Sequence, residues 1–227
     1  MDYPCCGVVI EIIEIQIVSI RDNKRVYCLT FKLMDRVSNV NTTNNITSFV
    51  FGTEDIAEVN MLRRSLLTEI ETYAIDIVTF HINTSPRHDE IIAFHLGQLV
   101  IDHSRFNPPQ DDDFKTRIDV RGPTEFTTEH IPDLPFKYIT PIANLKANQR
   151  ILCDVIVKRG QGRVHVKWCP VSCVKFIETE NGYQVTFKNI GMMSSEEIIQ
   201  QGLARMHDAA HRVPNSIFSH PLLPHNI

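Results

Sequence analysis

The residues of this chain best suited to chemistry are its histidines, cysteines and clustered carboxylates, and their spacing decides what they could do. His207 and His211 stand four apart, which puts two imidazoles on one face of a helix, as in zinc-dependent hydrolases. That reaction also needs a third ligand and a glutamate as general base. Here Asp208, one methylene shorter, occupies the base's place. His88, Asp89, Glu90 and His95 carry the donor atoms of a metal or acid–base cluster, but a mixed charged turn has the same composition. Cys169 and Cys173 are four apart with no second pair at zinc-finger spacing. Gly160-Gln161-Gly162 lacks the further Gly, Lys and Ser/Thr of a phosphate loop and reads as a tight turn. Asp111-Asp112-Asp113 reads as a solvated loop rather than a magnesium site, and no serine sits in a nucleophile-elbow context. No enzyme emerges from these residues.

The elements that position them come from composition and periodicity. The chain has 227 residues, 43% hydrophobic and 22% charged, ordinary values for a globular protein with one large or two interleaved domains. No apolar run approaches the ~20 residues of a membrane helix, and the start lacks the basic and apolar regions of a secretory signal. An intracellular chain is therefore expected, with Cys5, Cys6, Cys28, Cys153, Cys169 and Cys173 as free thiols. The net charge of −4 argues against DNA or RNA as the main partner, since autonomous nucleic-acid binders present a basic face.

Residues 8–20 and the run Tyr27, Leu29, Phe31, Leu33 alternate as an antiparallel strand pair, while residues 36–47, rich in Asn and Thr, read as an irregular loop. A helix is predicted from a Thr53 cap, with Ile56, Val59, Leu62, Leu66 and Ile70 as its apolar stripe, widened by Met61 and Leu67. Arg63 and Arg64 lie off that stripe. Strands are expected over 74–82 and 151–157, the latter broken at Gly160, and Val164, Val166 and Trp168 alternate with His165 and Lys167. Residues 103–114 read as a loop, and 115–150 as short strands and turns. Residues 174–178 and 183–187 flank Asn181-Gly182, a hairpin signal. A second helix starts at a Ser194/Glu197 capping box and carries Ile199, Leu203, Met206 and Ala210 on one face. Pro214 ends it, and an extended tail follows. The predicted class is α+β.

The first helix and its sequel carry more than periodicity. Asn60-Met61-Leu62-Arg63-Arg64-Ser65-Leu66-Leu67-Thr68-Glu69-Ile70, then Ala74-Ile75-Asp76-Ile77-Val78, Asn83-Thr84-Ser85, Asp89-Glu90, Ala93 and Leu96-Gly97 resemble the signature of the alpha-like subunits of multisubunit RNA polymerases. These are bacterial alpha, its archaeal counterpart and the third-largest subunit of the eukaryotic nuclear enzymes. Val120-Arg121-Gly122-Pro123 with Thr128, then Gly160, Gly162, His165, Lys167, Trp168, Pro170 and Val171, then Phe187, Gly191, Glu196 and Leu203 follow in the expected order.

The resemblance implies a dimerisation domain made from both chain ends (residues 1–84 and 174–227) with a mainly-β domain, residues 85–173, inserted between them. It implies a non-catalytic scaffold that pairs with a small alpha-like subunit through Ile56, Val59, Leu62, Leu66, Leu67, Ile70, Ile199, Leu203 and Met206. Arg63, Arg64, Gly160, Gly162, His165, Lys167 and Trp168 would dock the second-largest and largest subunits, small assembly subunits would join them, and DNA would be met only through the complex. Nucleus or cytoplasm would be its place, or a virion if the source is a large DNA virus. Four positions depart from the family pattern: Glu71 and Val100 stand where prolines are usual, and Phe94-His95 stand for His-Arg. The metal-binding cysteine cluster of some relatives has no counterpart between Asp102 and Thr116, nor does the bacterial DNA-binding domain, so no metal or other cofactor is expected. A homodimeric scaffold and a metallohydrolase using His207 and His211 are the alternatives.

Overall fold

The computed structural model describes residues 34–108 and 113–212. The strand pair expected before residue 34, Cys5, Cys6, Cys28, Asp111, Asp112, the side chains of Ala210 and His211, and the tail beyond Arg212 lie outside the described residues. The first half of the chain forms β1 (Val37–Thr43), β2 (Ile46–Phe51), α1 (Ile56–Thr68), β3 (Glu71–Asn83), α2 (Asp89–Gly97) and β4 (Phe114–Arg121). The second half forms β5 (Thr124–Thr127), β6 (Pro141–Leu145), β7 (Arg150–Gln161), β8 (Val171–Thr179), β9 (Gly182–Asn189) and α3 (Ser195–Arg212). Helices and antiparallel sheets are mixed, as α+β requires.

Two apolar cores organise these elements. In the first, the sheet β1-β2-β9-β8 turns Phe49, Phe51, Val185 and Phe187 onto α1 and α3, which contribute Val59, Leu62, Leu66, Ile198, Ile199, Leu203 and Met206. In the second, the sheet β3-β7-β4 and the hairpin β5-β6 enclose Ile75, Ile92, Leu96, Ile118, Phe126, Cys153 and Val155. Strand β3 carries the chain from the first core to the second, and Cys169 and Val171 bring it back.

Residues 36–47 are a strand pair, not a loop. β1 and β2 pair from Val37↔Phe51 to Thr43↔Ile46 around Asn44 and Asn45, whose φ angles are 52° and 64°. A two-residue hairpin turn needs both φ positive, and asparagine tolerates this better than any other residue with a side chain. The asparagines that suggested a loop make the turn, and the threonines beside them suit strands.

Helix α1 starts two residues later than expected. Asp55 is its cap, accepting from the Ala57 N–H at 2.8 Å, while the Thr53 hydroxyl accepts from the Asp55 N–H and donates to Glu58. The Arg36 guanidinium on the same carboxylate at 2.5 Å, with the Thr53 bond, holds Glu58 below its usual range. Helix α3 begins as predicted: Ser194 Oγ accepts from the Glu197 N–H, and Glu197 Oε2 accepts from the Ser194 N–H. A buried set of polar groups ties this end to the sheet, with Thr47 Oγ1 at 2.7 Å from Ser195 Oγ and Asn189 Nδ2 donating to the Met193 carbonyl. Gly202 lets α3 approach α1, because a Cβ there would stand 2.5 Å from Leu66 Cδ2.

Other expectations shift. β7 runs straight through Gly160 to Gln161, and Val164–Trp168 is a turn ending in a 3-10 turn over Val166–Trp168 rather than a strand. The second hairpin turns on Glu180-Asn181, because Thr179 pairs with Gly182. Gly182 has φ +121° and lies against the Phe51 carbonyl, where a side chain would not fit. His88, Asp89 and Glu90 open helix α2, which their charged composition concealed.

Candidate functional site

The residues that could do chemistry are dispersed by the fold. Among the described residues, no group of three His, Cys, Asp or Glu side chains is gathered to hold a metal. His88 caps α2 and His95 sits in its last turn. His207 stands in α3 with its Nδ1 3.8 Å from Asp208. Burial pushes the Cys153 thiol up to about 12, aided by the Asp154 and Asp89 charges, and burial also raises Cys169, whose thiol donates to the Val171 carbonyl. Neither is a thiolate near neutral pH, so neither is a nucleophile. Cys173, on β8, is exposed. In a variant with Cys5, Cys6 and Cys28 changed to serine, a thiol reagent is expected to titrate one group, Cys173, until denaturant frees the other two. Prompt reaction of three would contradict the burial.

The outer face of the second sheet carries ion pairs instead. Asp154 accepts from Arg117 at 2.7 Å and lies 2.7 Å from His81 Nε2, and these two hold its carboxylate far below the usual range. Asp119 takes both arms of Arg150 at 2.7 Å and is lowered likewise. Pairs this exposed add little stability but keep the face solvated.

Helices α1 and α3 each divide into a closed and an open face. Val59, Leu62, Leu66, Ile70, Ile199, Leu203 and Met206, expected at a partner seam, are sealed by the chain's own sheet and by each other. Burying the apolar stripe in this chain's own core stabilises it by roughly 1.5–3 kcal/mol per large side chain, so these residues leave no surface for another chain. Ile56, 59% exposed, and the half-buried Leu67 are open, and so are Asn60 and Arg64. On α3 the open positions are Gln200 and Gln201, with Ala204 and Arg205 half-buried. Arg63 folds back onto Asn60 Oδ1 at 2.9 Å, and Arg205 reaches Glu71 at 3.3 Å. The pair Arg63 and Arg64 thus sits on the open side of α1, with Arg64 free to reach outward.

The turn after β7 was expected to dock large subunits, and most of its residues are used within the chain. Trp168 is only 6% exposed, lies flat on the backbone of Gly160 and donates Nε1–H to the Lys158 carbonyl. Lys167 Nζ sits 4.4 Å above that ring, 2.6 Å from Asp76 Oδ1, and donates to the Ile75 carbonyl. Gly162 packs on the Leu67 carbonyl. His165 accepts from the Lys167 N–H and is itself exposed. What the turn offers outward is His165 between Val164, 70% exposed, and Val166, 68% exposed.

A second open apolar region had no clear signal in the sequence. On α2, Phe94 is 64% exposed and lies between two shallow clefts. One cleft includes Tyr138 and Pro141, the other Val78, His165 and Lys167. Phe94 was visible only as a departure from the family pattern.

The sequence profile described as the RNA polymerase Rpb3/Rpb11 dimerisation domain matches residues 48–210, a span that takes in α1, strands β3 to β9 and nearly all of α3. The chain is 28% identical over 168 residues to the DNA-directed RNA polymerase subunit Rpo3 of Methanocaldococcus jannaschii, covering 71% of this chain and 86% of that one. It is 27% identical over 169 residues to the DNA-directed RNA polymerase II subunit RPB3 of Schizosaccharomyces pombe, covering 60% and 57%. It is 31% identical over 133 residues to Rpo3 of Pyrococcus furiosus, covering 54% and 51%. Of the last two proteins the chain spans about half the length.

Proposed function

The chain belongs to the family of the RNA polymerase Rpb3/Rpb11 dimerisation domain, and from that premise we propose how it is built into the enzyme. It is a non-catalytic assembly subunit of a DNA-directed RNA polymerase, a scaffold rather than a seat of nucleotidyl transfer. The observation that carries this reading is the reach of the dimerisation profile over residues 48–210, in a chain whose described titratable residues are scattered or paired with one another.

The partner is a small alpha-like subunit, and the seam is the open side of α1 and α3: Ile56, Asn60 and Leu67 with Gln200, Gln201 and Ala204. This moves the contact off the buried part of the stripe that the resemblance implied and onto the face left uncovered. Arg64, with Arg63 beside it, meets the second-largest subunit, where a guanidinium can hold a carboxylate or carbonyls through a fixed fork of donors. The Val164–Val166 turn meets a large subunit as well. The dimerisation domain is the first core and the inserted domain is the second. Its limits are drawn near Ile70 and Cys169, where the chain passes between the cores, rather than at 84 and 173. The protein works where transcription occurs, in nucleus or cytoplasm. No helix among the described residues is long and apolar enough to cross a membrane.

Affinity purification of the tagged chain at native expression, with mass spectrometry of what comes along, tests this. Two very large polymerase subunits and one small alpha-like protein in near-equal amounts are expected. Ile56→Asp should lose the small partner, while Arg64→Glu should keep it and lose a large subunit. Both are surface changes expected to alter stability by no more than about 0.5 kcal/mol, so the melting temperature should hardly move. Recovery of the chain only as a self-dimer would favour the homodimeric reading, and an Ile56→Asp variant with its partner retained would remove the seam from this face.

A further inference from the structure

We propose that His103 is a proton-sensitive latch between the two cores, closed while its ring is neutral and released when the ring takes up a proton.

The position of the ring makes the case. His103 follows α2 in a loop of the second core, where Asp102 donates its N–H to the Pro135 carbonyl. Its backbone N–H donates to the Met192 carbonyl at 2.8 Å, in the segment that leads into α3. Its Nε2 lies 3.0 Å from the N–H of Tyr73, at the start of β3 where the chain leaves the first core. One residue of the second core's loop therefore holds both the start of β3, where the chain leaves the first core, and the segment that leads into α3. The Tyr73 ring packs on the imidazole with centroids 5.2 Å apart, and Phe106 closes the other side of Tyr73 at 5.3 Å.

A backbone N–H can only donate, so Nε2 must accept, and the ring must carry its hydrogen on Nδ1. Protonation turns Nε2 into a donor facing another donor. The hydrogen bond to Tyr73 is then lost, and a half-buried charge takes its place. The charged groups around the ring pull both ways. Burial is the largest influence and disfavours the cation; Glu197 of α3 and Asp102 of the same loop favour it, and Arg159 of β7 opposes it, with the net result that His103 titrates below its ordinary value. Arg159 is itself held at 2.5 Å by Glu71. With the folded value depressed, the unfolded chain takes the proton first as pH falls. The latch's contribution is whole above about pH 6.5 and is lost below it, as pH falls toward the folded value.

Hydrogen exchange on the full chain tests this, followed by mass spectrometry from about pH 7.5 to about pH 5 and corrected for intrinsic rates. Protection of the peptides holding Tyr73 and residues 190–193 is expected to fall about tenfold in the wild type across that range, before helix content changes. In His103→Gln, whose amide oxygen accepts from Tyr73 without titrating, the same peptides should show no such fall. Unchanged protection in the wild type, or an equal loss in the variant, would overturn the latch. If the variant does not fold, the ring resonances of wild-type His103 decide. A midpoint below about 6.5 with the neutral ring protonated at Nδ1 supports the proposal, and a midpoint at or above that value overturns it.

Discussion

Leu66→Asp is expected to unfold the first core rather than to detach a partner. Leu66 is fully buried, between the sheet and α3, with its methyl against the position where Gly202 spares the space for a Cβ. Truncating such a leucine alone costs about 2–5 kcal/mol, and an unpaired carboxylate in the same place adds several more. Against a total stability of roughly 5–15 kcal/mol, little folded protein should remain. Leu203→Asp should behave the same way, because Leu203 is equally buried on the facing helix. Circular dichroism and yield of soluble chain measure the effect. A soluble, cooperatively melting Leu66→Asp that had lost only its partner would place this side chain at the seam after all. Compared with Ile56→Asp, it separates loss of the fold from loss of the interface, which co-purification alone does not.

The second large effect is expected at Trp168, next to Cys169, where the chain returns to the first core. Trp168→Ala should cost about 3–5 kcal/mol, the usual range for removing a large buried aromatic ring. It also leaves the Lys158 carbonyl without its indole donor and removes the ring beneath the Lys167 ammonium. Gly160→Val tests the same contact from below, since any Cβ at 160 meets the indole ring. Trp168 is the chain's single tryptophan, so its fluorescence reports this packing directly. Gly160→Val should shift the emission toward that of a solvated indole and lower the melting temperature by several degrees. An unshifted spectrum and melting temperature would mean that the turn has no structural duty and is kept for docking alone.

These two sites change how the family signature is understood. Gly160, Gly162, Lys167 and Trp168 look, as a string of letters, like a recognition loop. In the folded chain they bind to one another and to Asp76, Lys158 and Leu67, leaving Val164, His165 and Val166 to face outward. A rigid turn presenting a few exposed side chains is better suited to docking than a mobile one, because less entropy is lost when a partner orders it.

Local rules in the sequence determined the elements whose causes are themselves local. The 3.6-residue stripe of Val59, Leu62 and Leu66, the Ser194/Glu197 capping box and the apolar run from Ile151 to Val157 each depend on neighbours a few residues away, and each appears where its pattern places it. The absence of catalytic spacing and the ordered family signature were legible for the same reason. Tertiary structure decided the rest. Periodicity says that a helix has an apolar face but not whose core that face enters, because own sheet and partner helix both offer apolar cover. Here strands from residues 46–51 and 171–189 cover it, and the opposite side of the helices is left open. Asn44 and Asn45 read as loop until a strand on each side showed them to be a turn. His103 and Trp168 drew no notice as structural residues because their partners, Tyr73, Met192, Lys158 and Thr72, lie from 10 to 96 residues away, and no spacing within the chain announces a contact that only folding creates.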